Sequence, residues 1–265
     1  MEDVLTEIPP PSRTTLDDLN NFSTRPPRLP KPILALSDAD RDRPLCPDLL
    51  VIALSEPSLR IFQSVNPKAL TGGLILPEIS FAGNTLSPSI GDKSCNIYAL
   101  NSKDSSINLV SFQYSVNDER CNAVAKVLIG DRIIPKTVLI LDSVSSRNFR
   151  EKLPPDETFA FKLETTAERR ELHSPIVRDV TYFPSGSVVG GLGAALLTEC
   201  QLKNIRGTLL VSWPPYGSSA LYFLKELLVK RTPLSFLSLS CGDAENESSR
   251  LHPWKSGSMD SDLYT

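Results

Sequence analysis

The chain has 265 residues, 40% of them apolar, with 28 basic and 31 acidic side chains and a formal net charge of −3. That is enough apolar material for a buried core, and the interspersed charges leave no electropositive face of the kind that tracks nucleic-acid phosphates or grips an anionic membrane. Neither nucleic acid nor membrane is an expected partner, and no apolar run nears the roughly 18 residues of a spanning helix.

The first residues, Met1-Glu2-Asp3-Val4-Leu5-Thr6-Glu7, are acidic where a secretory signal is basic and then apolar. A cytoplasmic chain is expected, with the nucleus open to it. Residues 1–47 are dominated by Pro9-Pro10-Pro11, by the run from Arg25 to Pro32, and by Pro44 and Pro47. Proline fixes φ and removes a backbone donor, so this stretch is expected to be a proline-rich extended arm outside the core. Arg25 to Pro30 has the PxxP spacing of ligands for aromatic grooves, a spacing equally common in linkers.

Residues 48–241 carry the pattern of an α/β domain. Leu49 to Leu54 is a short, continuous apolar run between Pro47 and Pro57, which predicts a strand buried on both faces. Further strands are predicted at Gly73–Ile79, Asn96–Leu100, Ile107–Val116, Lys136–Leu141, Thr158–Leu163 and Thr208–Trp213. The pair at 96–100 and 107–116 is predicted to form an antiparallel hairpin. Between 107–116 and 136–141, Asn117 is placed to cap a helix whose Cys121, Val124 and Leu128 share one face before Gly130 ends it. Strand, helix, strand in that order is a parallel crossover. A second helix is expected from Ser187, with Val189, Leu192, Leu196 and Cys200 at helical spacing, and a third from Ser218 or Ser219, with Leu221, Leu224 and Leu228. The run Glu164–Glu171 reads as a solvated helix face. The fold class is α/β: a three-layer domain with a mostly parallel central sheet flanked by helices, plus an N-terminal arm and a flexible C-terminal tail.

Catalytic constellations are scarce. There is no GxxxxGK[ST] loop, and Gly191-Leu192-Gly193 lacks the third glycine of a dinucleotide fingerprint. The two histidines, His173 in a charged segment and His252 in the polar tail, stand where no nucleophile-base pair is expected. Asp142 and Ser143 follow a predicted strand at the end where open α/β sheets place ligands, although Asp and Ser also serve there as turn residues. Pro184-Ser185-Gly186-Ser187 precedes a helix and has either the makings of an anion site or, more simply, an N-cap at Ser187. The five cysteines are far apart and never in Cys-x-x-Cys, so reduced structural thiols are expected, with no cofactor and no metal.

From Gly242 to Asp262 the composition turns to Asp, Glu, Asn, Ser, Gly and Lys, which cannot offset the entropy of ordering. The last residues, Leu263-Tyr264-Thr265, then restore an apolar and an aromatic side chain beside the terminal carboxylate. This is a compact docking plug, and a flexible tether from Gly242 onward would span about 25 Å.

Leu263-Tyr264-Thr265 resembles the hydrophobic-tyrosine-any tail with which regulators and assembly factors enter pockets between α subunits of the 20S proteasome. Together with the body, most clearly where Ser187–Cys200 and Gln201–Arg206 lead into Gly207-Thr208-Leu209-Leu210-Val211-Ser212-Trp213, the chain is similar to the eukaryotic 20S proteasome assembly chaperone family over about 190 residues. The resemblance implies a heterodimer with proteasome assembly chaperone 2, capture of 20S α subunits and help in closing the α ring. It implies that Leu263 fills an apolar inter-subunit pocket, Tyr264 packs at its mouth and the Thr265 carboxylate meets a pocket lysine. A nucleoside phosphorylase-like or hydrolase-like enzyme shares the domain layout, and a scaffold working through the proline-rich arm is the third reading.

Overall fold

The computed structural model describes residues 29–37, 43–65, 68–85, 91–100, 106–144, 149–150, 153–154 and 157–234. The eight strands are β1 (Ile33–Leu36), β2 (Leu49–Ala53), β3 (Lys68–Ile75), β4 (Cys95–Leu100), β5 (Ile107–Phe112), β6 (Thr137–Ser143), β7 (Phe159–Glu164) and β8 (Arg206–Trp213). They form one mixed sheet in the order β1-β3-β4-β5-β2-β6-β8-β7. The four central strands, β5, β2, β6 and β8, run parallel to one another, and the outer pairings, β1 with β3, β3 with β4, β4 with β5 and β7 with β8, are antiparallel.

The helices are α1 (Glu56–Gln63), α2 (Asp118–Leu128), α3 (Thr166–Arg169), α4 (Gly191–Leu202) and α5 (Ser218–Arg231). Helices α1 and α5 cover one face of the sheet over Val51, Leu109, Leu139 and Leu210, and α2 and α4 cover the other over Ile52, Val110, Ile140 and Leu209. The three layers follow from the strands' composition. Leu49-Leu50-Val51-Ile52-Ala53 is buried at every position, so both of its faces need a helical cover. The expected hairpin is present as β4 and β5, and the expected apolar faces of α2, α4 and α5 all point into the core.

Two elements depart from the sequence reading. Helix α1 begins at a proline that had bounded a strand: Pro57 sits in its first turn, where a missing N–H costs nothing, and Glu56 pairs with Arg60 at 2.7 Å. Ile33–Leu36, inside the stretch expected as an arm, pairs with β3 from Ile33↔Ile75 to Leu36↔Gly72 and is an edge strand of the sheet. The approach depends on glycine, since a Cβ on Gly72 would lie 2.4 Å from the Ala35 carbonyl oxygen. Accordingly β3 runs over 68–75, through its two glycines, instead of 73–79.

The run Glu164–Glu171 is not a solvated face. Helix α3 is a single turn capped by Thr165, whose Oγ1 accepts from the Glu168 N–H, and Glu168 is only 1% exposed. Nearby, Lys162 Nζ pairs with Glu164 at 2.6 Å and donates to the Val177 carbonyl. Cys95, Cys121 and Cys200 are free, buried thiols whose ionisation burial opposes, with Cys200 pushed up to about 12; Cys46 is exposed. Among the described residues no helix is long and apolar enough to cross a membrane.

Candidate functional site

The parallel strands end on a cleft of about 210 Å³, between the end of β6 and the first turns of α2 and α4. Asp118, Asp142, Ser143, Val189, Gly190 and Val211 line it. Asp142 leaves β6 on the α2/α4 side, and its Oδ1 accepts from the Ser143 N–H at 2.8 Å. Its Oδ2 faces the start of α4, where a Cβ on Gly193 would stand 2.5 Å from that oxygen. The glycines at 191 and 193 therefore serve geometry other than a phosphate cradle. Gly191 takes a positive φ of 65° to open the helix, and Gly193 leaves room for a carboxylate.

Burial drives the Asp142 carboxyl up to about 6, against the weaker opposing effect of the Ser143 N–H. A folded-state value above the unfolded one means that the native protein holds this proton more tightly. Stability contributed at low pH is therefore lost as pH rises through the interval from about 4 to about 6. Asp142→Asn keeps the acceptor for Ser143 and removes the charge. At pH 7.5 it should unfold with about 1–3 kcal/mol more stability than the parent, the start of α4 offsetting part of the burial cost. At pH 3.5 the two should coincide. Urea titrations at both pH values check this, and identical pH profiles would refute it.

Ser187, expected to cap α4, lies outside the helix. Gly190 occupies the cap position, and Ser187 Oγ instead accepts from the Arg150 N–H at 3.0 Å. Asn117 holds the cap position of α2 as expected, without a side-chain hydrogen bond. The cleft lining includes neither histidine nor cysteine, and His173 is an exposed residue of the loop after α3. Among the described residues no group of three or more His, Cys, Asp or Glu side chains could hold a metal ion. The docking residues Leu263, Tyr264 and Thr265 lie outside the described residues, as do Cys241 and His252.

Fold and cleft together define a three-layer α/β protein with a small polar cleft at the carboxyl ends of its parallel strands. No protein family and no curated protein matches the chain. Solved structures do. Pyrococcus furiosus PbaA, an archaeal homolog of proteasome-assembly chaperone, matches in a monoclinic form at 14% identity and a TM-score of 0.51, over 75% of this chain and 81% of that one. A further PbaA structure matches at 16% identity and a TM-score of 0.50, over 74% and 85%. A Thermoplasma acidophilum protein of unknown function matches at 16% identity and a TM-score of 0.50, over 72% and 77%. At these identities the likeness is one of fold.

Proposed function

We propose that the chain is a non-catalytic chaperone of 20S proteasome assembly, acting in the cytoplasm and nucleus as a heterodimer with proteasome assembly chaperone 2. It binds 20S α subunits and promotes closure of the α ring. Leu263 enters the apolar part of a pocket between neighbouring α subunits, Tyr264 packs at the mouth, and the Thr265 carboxylate pairs with a lysine. The observation that carries this reading is the coincidence of a terminal hydrophobic-Tyr-any tripeptide with a body that shares the fold of an archaeal proteasome-assembly chaperone homolog. The domain of residues 48–241, extended by β1, is the body that faces the α subunits, and residues 242–265 form the tether and plug.

The test is binding of the co-expressed pair to purified 20S proteasome with and without residues 263–265. Removal of two buried side chains and a paired carboxylate should weaken binding by 10- to 100-fold, with unchanged circular dichroism. Equal affinity for both forms would move the contact to the folded body and defeat the tail assignment.

A further inference from the structure

On the side of the sheet carrying α1 and α5, the end of α1 reaches the start of β3, where Lys68 Nζ donates to the Phe62 and Gln63 carbonyls, and covers Tyr98 and Leu100 of β4, but the rest of β3 and β1 lie beyond it. An open groove of about 390 Å³ runs there between β1, the middle of β3 and the start of β4. Leu70 is 60% exposed, Phe81 43% and Ile33 53%, the last sharing its side of β1 with Ala35, opposite Ile75 and Gly73. None of the thirteen residues lining the groove is charged, in a chain that is 22% charged.

We infer that this face is the surface on which the second subunit of the heterodimer seats, a folded protein presenting an equally uncharged, apolar face. The inference rests on the heterodimer reading given above and supplies its location. Size favours a folded subunit. The exposed parts of Leu70, Phe81, Ile33 and Ala35, with the half-buried Ile75, amount to roughly 300–400 Å² of apolar surface. One side of a standard interface buries about 800 Å², a little over half of it nonpolar, so the patch supplies most of that apolar share. An added peptide strand would instead need a long free edge, and β1 offers four residues. The absence of charge disfavours an anionic membrane or an acidic segment and suits the dry centre of a subunit interface, where charged residues are depleted.

The experiment co-expresses the full chain with proteasome assembly chaperone 2 and measures the complex by light scattering and titration. The variants are Leu70→Glu, Phe81→Ser and, as an exposed apolar control outside the groove, Leu172→Glu. A one-to-one complex that Leu70→Glu weakens at least 30-fold and Phe81→Ser at least fivefold, with Leu172→Glu and all circular dichroism spectra unchanged, is the expected result. A heterodimer formed equally well by all variants would overturn the location while leaving the heterodimer reading intact. No heterodimer with the parent chain would overturn both. A homodimer abolished by Leu70→Glu, or tighter binding after removal of residues 1–28, would hand the face to a second copy or to the chain's own N-terminal segment and overturn the assignment.

Discussion

Replacing Glu168 with alanine should lower the unfolding free energy by about 3–5 kcal/mol. The carboxylate has no access to water and serves two partners: Oε1 accepts from the Ile176 N–H at 2.6 Å and Oε2 from Arg206 Nε at 2.8 Å. Arg206 in turn donates to the Ser174 carbonyl at 2.6 Å. Through these bonds one side chain holds the loop after α3 against β8 and seats Ile176 and Val177 in the core beneath α5. Truncation leaves a partly buried guanidinium with only the more distant Glu171 carboxylate, at 3.9 Å, as counter-charge, and a buried N–H without an acceptor. Glu168→Gln keeps an acceptor for Ile176 and should cost about 1–2 kcal/mol. Glu168→Ala combined with Arg206→Met should be less destabilised than the sum of the single changes by at least about 1 kcal/mol. Urea unfolding of the parent, the two Glu168 variants, Arg206→Met and the double variant checks the series, in which the alanine variant should melt roughly 10 °C below the parent. A loss under 1 kcal/mol for the alanine variant would show that the pair does not carry the loop.

The same residue shows where a sequence stops being informative. Thr165 to Glu171 has identical local chemistry whether it faces water or closes on Arg206, because the pairing partner is 38 residues away and its approach is set by the β7-β8 register. Elements whose signal is local were legible. The continuous apolar run of β2, the hairpin of β4 and β5, and the helical spacing of Cys121, Val124 and Leu128 each fix burial within a few residues. Proline and glycine misled wherever tertiary contacts decided their meaning. Pro57 stands in the first turn of a helix as well as past the end of a strand, and the strand expected to start at Gly73 begins five residues earlier because Gly72 admits β1. In the cleft, Asp142 and Ser143 were visible as polar residues closing a strand. The convergence of α2 and α4 upon them was not, since it depends on how two helices pack. The terminal tripeptide was legible as a motif, and that part of the reading stands on sequence alone.

Arg120→Ala should release the β1 edge, with amide exchange at Leu34 and Leu36 rising at least tenfold and global stability falling by about 2–4 kcal/mol. Arg120 stands in the first turn of α2 with its side chain 5% exposed. Its guanidinium pairs with both carboxylate oxygens of Glu78, in the segment after β3, and donates to the Pro30 carbonyl at 2.6 Å. One planar group thus ties three segments together, α2, the β3-β4 connection and the residues that lead into β1. Lysine has a single charge centre that cannot reproduce this fork, so Arg120→Lys should recover less than half of the loss. Strands β2 and β6, on the far side of β5 from this knot, should keep their protection in both variants. Because Ile33 and Ala35 belong to the face assigned to the second subunit, Arg120→Ala should also weaken the heterodimer without touching a docking residue, whereas Leu70→Glu should weaken it with β1 exchange unchanged. Hydrogen exchange read beside the binding titration separates the two routes. Unchanged β1 protection in Arg120→Ala would mean that the strand is held by its ladder with β3 alone.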